Sequence, residues 1–172
     1  GGFMLQDIAY IFGVAEAFDI AAQNTQGISP PDFALFYRSR SANCTSHGHN
    51  LAKKWKLQNT KSVILGPAIA TYVAFEMNLA KTDPKYLVIG MLPCRMLWTW
   101  IASEIETKIY MQGYNNLYRS WVTDIKPANE ISSTERFVNR FFHPEDKSAC
   151  RKIFNEGMIN ELNFFRSACD QN

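Results

Sequence analysis

A cysteine inside an apolar, aromatic run is the residue best placed for nucleophilic chemistry. Cys94 directly follows Pro93 in the stretch MLPCRMLWTW. Proline lacks an N–H, so we expect a helix to start or kink at Pro93, with Cys94 in its first turn. The free N–H groups and positive dipole of such a turn favour a thiolate, which predicts a lowered thiol pKa and a reactive sulfur. The alternative is an inert core cysteine, since free cysteines are among the most buried residues.

Two acids and two tyrosines stand in helical segments that are otherwise apolar. Asp7 and Tyr10 are three positions apart and share one face, as do Glu161 and Phe164. Tyr72 lies in another apolar stretch. Each taken alone is more often a surface acid or a core tyrosine, but a buried acid must be paired or functional. Their joint occurrence with the cysteine favours one shared site.

Start and stop residues mark the helices that must position these side chains. A serine cap followed by prolines, Ser29 to Asp32, opens one helix, which we expect to run to about Arg40. We expect Ser41–Lys61 to be a long connection with at most one short helix.

The other expected helices cover 3–23, 63–80, 83–112, 114–124, 134–142 and 144–168. Asp83 caps the third of these, Pro93 kinks it and Gly113 stops it, while Pro127 closes the fourth. Ser132 and Glu135 form a capping box for the fifth, and the acids Glu145 and Asp146 stand in the first turn of the last. Strand-length alternation is almost absent. The sequence predicts a single all-α domain over 1–172.

Composition excludes several classes of protein. The 172 residues are 47% hydrophobic and 20% charged, which is typical of one globular domain. The net charge of +2, from 18 basic and 16 acidic residues, is too balanced to indicate nucleic acid. No apolar run reaches the roughly 18 residues of a membrane span. Four cysteines without CxxC spacing indicate neither a zinc site nor a disulfide framework, and favour a reduced, cytoplasmic setting.

Motifs for cofactors are missing as well. No Glu-x-x-His occurs, although a helical di-iron site would need two of them. GxGxxG, GxxxxGK[ST] and GxSxG are also absent. The three histidines, His47, His49 and His143, are expected at the surface. These absences indicate no metal site, and they give no support to nucleotide binding by such loops or to serine-hydrolase chemistry.

Four stretches resemble the motifs of one family, TenA or thiaminase II. FMLQDIAYIF looks like its second-helix phrase LQDxxY, and MLPCRMLWTW resembles its LLPCxWxY segment, with Cys94 on the catalytic cysteine. NLYRSWV resembles its YxxWI segment, and NELNFF its ExxFW segment. The order and approximate spacing hold from Phe3 to Phe165, which is nearly the whole chain.

The resemblance implies a haem-oxygenase-like helical bundle, usually a homotetramer, that acts in thiamin salvage without a cofactor. Such enzymes hydrolyse 4-amino-5-aminomethyl-2-methylpyrimidine to the hydroxymethyl compound, releasing ammonia, and cleave thiamin less efficiently. Cys94 would be the nucleophile and Glu161 the acid and base that handles protons. The substrate-binding residues would be Asp7 at the ring's amino group, with Tyr10, Tyr72, Trp98 and Phe164 around the ring.

The chain departs from the family pattern in places. Trp98 stands where a tyrosine is usual, and the tyrosine expected after the YxxWI segment falls near Ile125, though Tyr118 or Tyr114 could replace it. The stretch 43–60 is longer and more basic than expected, and the family's first helix, which precedes LQDxxY, is absent from this chain. Two alternatives stay open: a pyrimidine-binding protein without turnover, and a metal oxygenase on the same fold, which the absent ExxH motifs disfavour.

Overall fold

The chain is helical throughout the part that the structure describes. This computed structural model describes residues 2–25, 27, 30–58, 60–111, 119–125 and 132–169, and no strand occurs among them. The helices are α1 (Gly2–Asn24), α2 (Pro31–Lys54), α3 (Pro67–Thr82), α4 (Leu87–Gly90), α5 (Leu92–Met111), α6 (Arg119–Asp124), α7 (Ser133–Phe141) and α8 (Lys147–Cys169). Short 3-10 turns cover Thr60–Ser62, Pro84–Tyr86 and Pro144–Asp146. The all-α class predicted from the sequence is confirmed.

Helix α1 packs against both α2 and α3. Its residues at helical spacing form a buried stripe, which includes Tyr10, Val14, Ala17 and Ala21. Asp7 lies one turn before Tyr10 and is buried with this stripe. The face that builds the hydrophobic core therefore also carries a carboxyl group.

Helix α2 is longer than the sequence predicted. The expected end near Arg40 and the expected connection over 41–61 are wrong, because the helix continues to Lys54. Its buried residues beyond Arg40 are small ones: Ser41, Gly48 and Ala52. A Cβ atom on Gly48 would lie 3.0 Å from the Phe12 ring, so a small residue lets α2 approach α1 closely. The sequence prediction relied on stripes of large apolar residues, and the buried face of α2 beyond Arg40 has no such stripe.

The helix is interrupted just before Cys94, as Pro93 predicted. Met91 separates α4 from α5, and Pro93 is the second residue of α5, where its missing N–H costs no helical hydrogen bond. Cys94 therefore lies in the first turn of α5. One detail differs, because the Asp83 side chain, expected to cap a helix at Pro84, makes no capping hydrogen bond to the 3-10 turn there.

The start of α7 follows the sequence prediction. Ser132 Oγ accepts a hydrogen bond of 3.2 Å from the Glu135 N–H, and the Ser132 N–H donates one of 2.5 Å to the Glu135 carboxylate. This confirms the capping box. The acids expected at the start of α8 lie in the 3-10 turn before it, where the Asp146 carboxylate accepts hydrogen bonds from Lys85 Nζ and the Tyr86 hydroxyl. That contact joins the start of α8 to the segment preceding α4.

Helix α8 comes very close to the α4–α5 break. A Cβ atom on Gly157 would lie 2.7 Å from the Gly90 carbonyl oxygen and 2.9 Å from Pro93 Cγ. Only glycine permits this approach. Because Glu161 lies one turn after Gly157 on the same helix face, the approach brings its carboxyl towards the start of α5.

Among the described residues, one segment passes a length-and-hydropathy test for a membrane span. Pro84–Glu106 contains an 18-residue window with mean hydropathy 1.2, although charged and polar residues interrupt its apolar run. Of that window, 33% is buried inside the structure, and Cys94 within it packs against the hydrophobic core. Core helices of globular proteins pass the same test, so length and hydropathy alone are weak evidence for a span.

Three boundary residues expected from the sequence lie outside the described residues. They are the Ser29 cap, the Gly113 stop and Pro127.

Candidate functional site

Residues from four helices converge on one cluster. Tyr10 of α1 and Tyr72 of α3 have ring centroids 4.8 Å apart, and Phe164 of α8 lies 6.0 Å from Tyr10. Cys94 of α5 and Glu161 of α8 are close enough for the glutamate charge to act on the thiol. Cys94 is half-buried, whereas the other four are almost fully buried. The fold therefore gathers residues that are far apart in the sequence.

The Cys94 thiol differs from the sequence prediction. We expected the helix start to lower its pKa, but burial raises it well above the ordinary thiol value, and the charges of Glu161 and Asp7 raise it further. A weaker contribution from the Tyr10 hydroxyl acts in the opposite direction. A thiolate beside carboxylates and away from water is unfavourable, and this outweighs the helix dipole. Cys94 is therefore a neutral thiol at pH 7 and needs a neighbouring base to react.

Glu161 has the properties of such a base. It is 0% exposed, and burial raises its pKa to about 7. The nearby Tyr72 hydroxyl lowers this pKa while the charge of Asp7 raises it. The Tyr72 hydroxyl does not make a hydrogen bond to the Glu161 carboxyl, and neither Glu161 oxygen has a hydrogen-bond partner among the described residues. A carboxyl with a pKa near 7 exists in both forms at neutral pH, so it can take up a proton and return it.

Asp7 is a second buried carboxyl of this kind. Its residue is 8% exposed, and burial raises its pKa to about 7. The sequence placed it on one face with Tyr10, and the structure has both residues buried on α1. Its oxygens accept hydrogen bonds, so Asp7 can bind an amino group.

Glu76 of α3 belongs to the cluster but was not predicted. It is 0% exposed, and its Oε1 accepts a hydrogen bond of 2.7 Å from the Tyr10 hydroxyl. The sequence does contain a signal, because Glu76 follows Tyr72 by four positions and interrupts the buried stripe of Ile69, Tyr72, Leu79 and Ala80. The rule that singled out Asp7, an acid on an apolar helix face, applies equally to Glu76.

Four polar side-chain atoms of this cluster are buried without a hydrogen-bond partner among the described residues. They are the Tyr72 hydroxyl, Glu76 Oε2 and both carboxyl oxygens of Glu161. Leaving such an atom unsatisfied costs about 1–3 kcal/mol. Several unsatisfied atoms in one place indicate a site that receives a polar ligand or water.

Aromatic rings form one wall of the cluster. Phe3, which the sequence analysis did not single out, stacks on Phe164 with centroids 4.9 Å apart. Trp98 packs against Phe165 at 4.9 Å and against Phe3 at 6.0 Å. Trp98 is thus part of the same aromatic group, next to Phe3 and Phe165.

Ile125, near which the tyrosine after the YxxWI segment was expected, lies in a different apolar cluster. Ile125 packs with Ala102, Ile105 and Val122 in a small apolar cluster of its own, between α5 and α6. Tyr114 and Tyr118, which could replace that tyrosine, lie outside the described residues.

A cavity lies beside the cluster. It measures about 450 Å³ and is lined by Gln6, Gly66, Pro67, Ala68, Ile69, Asn163, Arg166 and Ser167. None of the predicted site residues lines it, although Gln6 and Asn163 lie within a turn of Asp7 and Glu161. This cavity therefore does not open onto the predicted site residues.

The described residues contain no group of three His, Cys, Asp or Glu side chains arranged to hold a metal ion. Comparison with protein-family models and with curated proteins finds no match for this chain.

Proposed function

We propose that the chain is a cofactor-free aminopyrimidine hydrolase of the TenA, thiaminase II type, on a haem-oxygenase-like bundle. It would convert 4-amino-5-aminomethyl-2-methylpyrimidine and water to the hydroxymethyl pyrimidine and ammonia, with thiamin a poorer substrate. A cytoplasmic homotetramer is part of the proposal. One observation carries it: Glu161 is a fully buried carboxyl with two unsatisfied oxygens and a pKa of about 7, and it is close enough to Cys94 for its charge to raise the pKa of the thiol.

In the proposed first step the thiol loses its proton as it attacks, because its raised pKa keeps it neutral beforehand. The Glu161 carboxylate takes that proton while the sulfur of Cys94 bonds to a ring carbon. The displaced π electrons move onto a ring nitrogen. Asp7 accepts a hydrogen bond from the ring's amino group and holds the ring in register.

Loss of aromaticity then lets the amine leave. Protonated Glu161 gives its proton to the departing nitrogen, which leaves as ammonia with the electron pair of the C–N bond, and the ring electrons form an exocyclic double bond. Water adds to that methylene carbon and passes a proton to Glu161. The C–S bond then breaks, the ring regains aromaticity, and the sulfur recovers its proton from Glu161. One carboxyl with a pKa of about 7, that of Glu161, suffices for all four proton transfers.

A second candidate is a pyrimidine-binding protein without turnover. Two observations favour it: the thiol pKa is raised, and Phe3 covers a face of Phe164. Such a protein would bind the pyrimidine through the same carboxyls and leave it unchanged.

Isotope labelling separates the two candidates. The purified chain would be incubated with the aminomethyl pyrimidine in H₂¹⁸O, and the product analysed by mass spectrometry. Hydrolysis predicts a hydroxymethyl pyrimidine carrying ¹⁸O together with one equivalent of ammonia. Recovery of unchanged, bound pyrimidine would support the binding protein, and absence of both binding and product would overturn both candidates.

A further inference from the structure

Glu76 has a polar atom that the proposed reaction does not use. Its residue is 0% exposed, and Oε1 is held by the Tyr10 hydroxyl at 2.7 Å. Oε2 is buried and has no hydrogen-bond partner among the described residues. A buried carboxyl oxygen left unsatisfied is costly, so its retention requires an explanation.

The surroundings of Glu76 keep it uncharged. The groups that face it are Tyr10 of α1, Cys44 of α2, Tyr72 on its own helix, Cys94 of α5 and Glu161 of α8. None of these carries a positive charge that would stabilise a carboxylate. Burial raises the pKa of Glu76 well above its ordinary value, hydrogen bonding by Tyr10 opposes this, and the charge of Glu161 raises it further. One oxygen of the neutral acid accepts a hydrogen bond while the other carries a proton and donates.

An aminopyrimidine needs both kinds of partner. Its amino groups donate hydrogen bonds, for which the carboxyls of Asp7 and Glu161 are acceptors. Its ring nitrogens accept hydrogen bonds, so the site must also provide a buried donor. A protonated carboxyl provides one without placing a charge in the core.

We propose that Glu76 is a further substrate-binding residue, which holds the Tyr10 hydroxyl through one carboxyl oxygen and donates a hydrogen bond from the other to a ring nitrogen of the bound pyrimidine. The inference rests on the proposed function, because it takes the ligand to be an aminopyrimidine. It assigns to Glu76 the recognition of the ring, and leaves the proton transfers to Glu161.

The test compares two ligands in a protein that binds without turnover. In the Cys94→Ser background, calorimetric titration would give the Kd of the aminomethyl pyrimidine and of 2-aminobenzylamine, which keeps the two amino groups but has no ring nitrogen. Glu76→Gln keeps one acceptor and one donor, whereas Glu76→Met has a similar volume and neither.

The ratio of the two Kd values is the readout, because a general loss of packing weakens both ligands alike. Glu76→Met should reduce the preference for the pyrimidine about tenfold, the value of a buried hydrogen bond. Glu76→Gln should keep the preference within about twofold. An unchanged preference in Glu76→Met, or its loss in Glu76→Gln, would overturn the assignment.

A pH series keeps the inference testable if Glu76→Met does not fold. Since both the neutral acid and glutamine donate, the pyrimidine Kd of Glu76→Gln should follow that of its parent from pH 6 to 9. A parent that loses affinity relative to Glu76→Gln as pH rises would mean that Glu76 ionises, which contradicts the assignment. Failure of the Cys94→Ser parent to bind pyrimidine at all would instead overturn the proposed function, and this inference with it.

Discussion

The ring of Phe3 stacks on the ring of Phe164, with centroids 4.9 Å apart and planes 25° from parallel. Phe164 is 1% exposed and meets Tyr10 on α1 as well. The ring expected to pack against the substrate is therefore already covered by protein. Phe3 is only half-buried, so it is the ring that can move at lower cost.

Replacing Phe3 by alanine should free the Phe164 ring. An aromatic pair is worth about 0.5–1.5 kcal/mol, so the pyrimidine KM for ammonia release should fall about twofold to tenfold. The Tm should also fall, because packing is lost. Phe36→Ala is the matched control, since Phe36 is a half-buried ring stacked on Phe137 at 4.1 Å, and it should lower the Tm without changing KM. A higher KM in Phe3→Ala would mean that Phe3 itself contacts the substrate.

Cys94 should react slowly with alkylating agents. Burial raises its pKa well above the ordinary thiol value, and each unit lowers the thiolate fraction about tenfold. Alkylation by iodoacetamide, followed by peptide mass spectrometry, should be at least about tenfold slower than that of free glutathione at pH 7.5. Glu161→Gln should accelerate it, because the glutamate charge is one cause of the raised pKa. A rate that reaches its plateau below pH 8 would show a thiolate and contradict this picture.

The buried carboxyl of Glu161 should make stability depend on pH. Its pKa is raised from 4.5 to about 7, so unfolding releases a proton between these values and the folded state loses stability as pH rises. The free energy of unfolding should fall by roughly 3 kcal/mol between pH 4.5 and 7, and Glu161 should lower it no further above pH 7. Glu161→Gln should therefore gain Tm relative to the wild type at pH 8 and little at pH 4.5.

The exposed Glu156 on the same helix provides the control for that measurement. Glu156→Gln should show no comparable trend. Equal Tm differences at pH 4.5 and 8 for Glu161→Gln would mean that the glutamate ionises freely in the folded state.

Gly157 should be needed both for stability and for the site. An alanine Cβ there would lie 2.7 Å from the Gly90 carbonyl oxygen and would push α8 away from Pro93. Overpacking of this kind costs about 1–3 kcal/mol, although alanine is the better helix former. Gly157→Ala should lower the free energy of unfolding and reduce turnover, because Glu161 moves away from Cys94.

Asn155→Ala, at an exposed position of the same helix, is the control for Gly157→Ala and should leave both properties nearly unchanged. A stable Gly157→Ala with full turnover would refute the role of this close approach.

Local signals in the sequence predicted much of the fold. The capping box of Ser132 and Glu135, and the proline break before Cys94, depend on neighbouring residues alone and are confirmed. The second half of α2 was missed because it approaches α1 through a small residue, Gly48, where a Cβ atom would lie 3.0 Å from the Phe12 ring. Such a contact leaves no apolar stripe in the sequence.

In the candidate site too, the features that depend on local sequence were predicted and those that depend on tertiary packing were not. Asp7 and Tyr10 were found because acids and tyrosines on apolar faces can be read from spacing. The thiol pKa of Cys94 was predicted in the wrong direction, because the local helix dipole was visible whereas Glu161 and Asp7 approach only through tertiary packing. The covering of Phe164 by Phe3 depends likewise on a contact between residues that are far apart in the sequence.

Ammonia release from 4-amino-5-aminomethyl-2-methylpyrimidine tests most directly whether Cys94 and Glu161 form a hydrolytic site. The wild-type chain should release ammonia, Cys94→Ser should release none while still binding the pyrimidine, and Glu161→Gln should be slowed by about 10²–10⁴. Cys150→Ser, which changes another half-buried cysteine, should retain the wild-type rate. No release by the wild type, or equal rates in wild type and Cys94→Ser, would contradict the assignment.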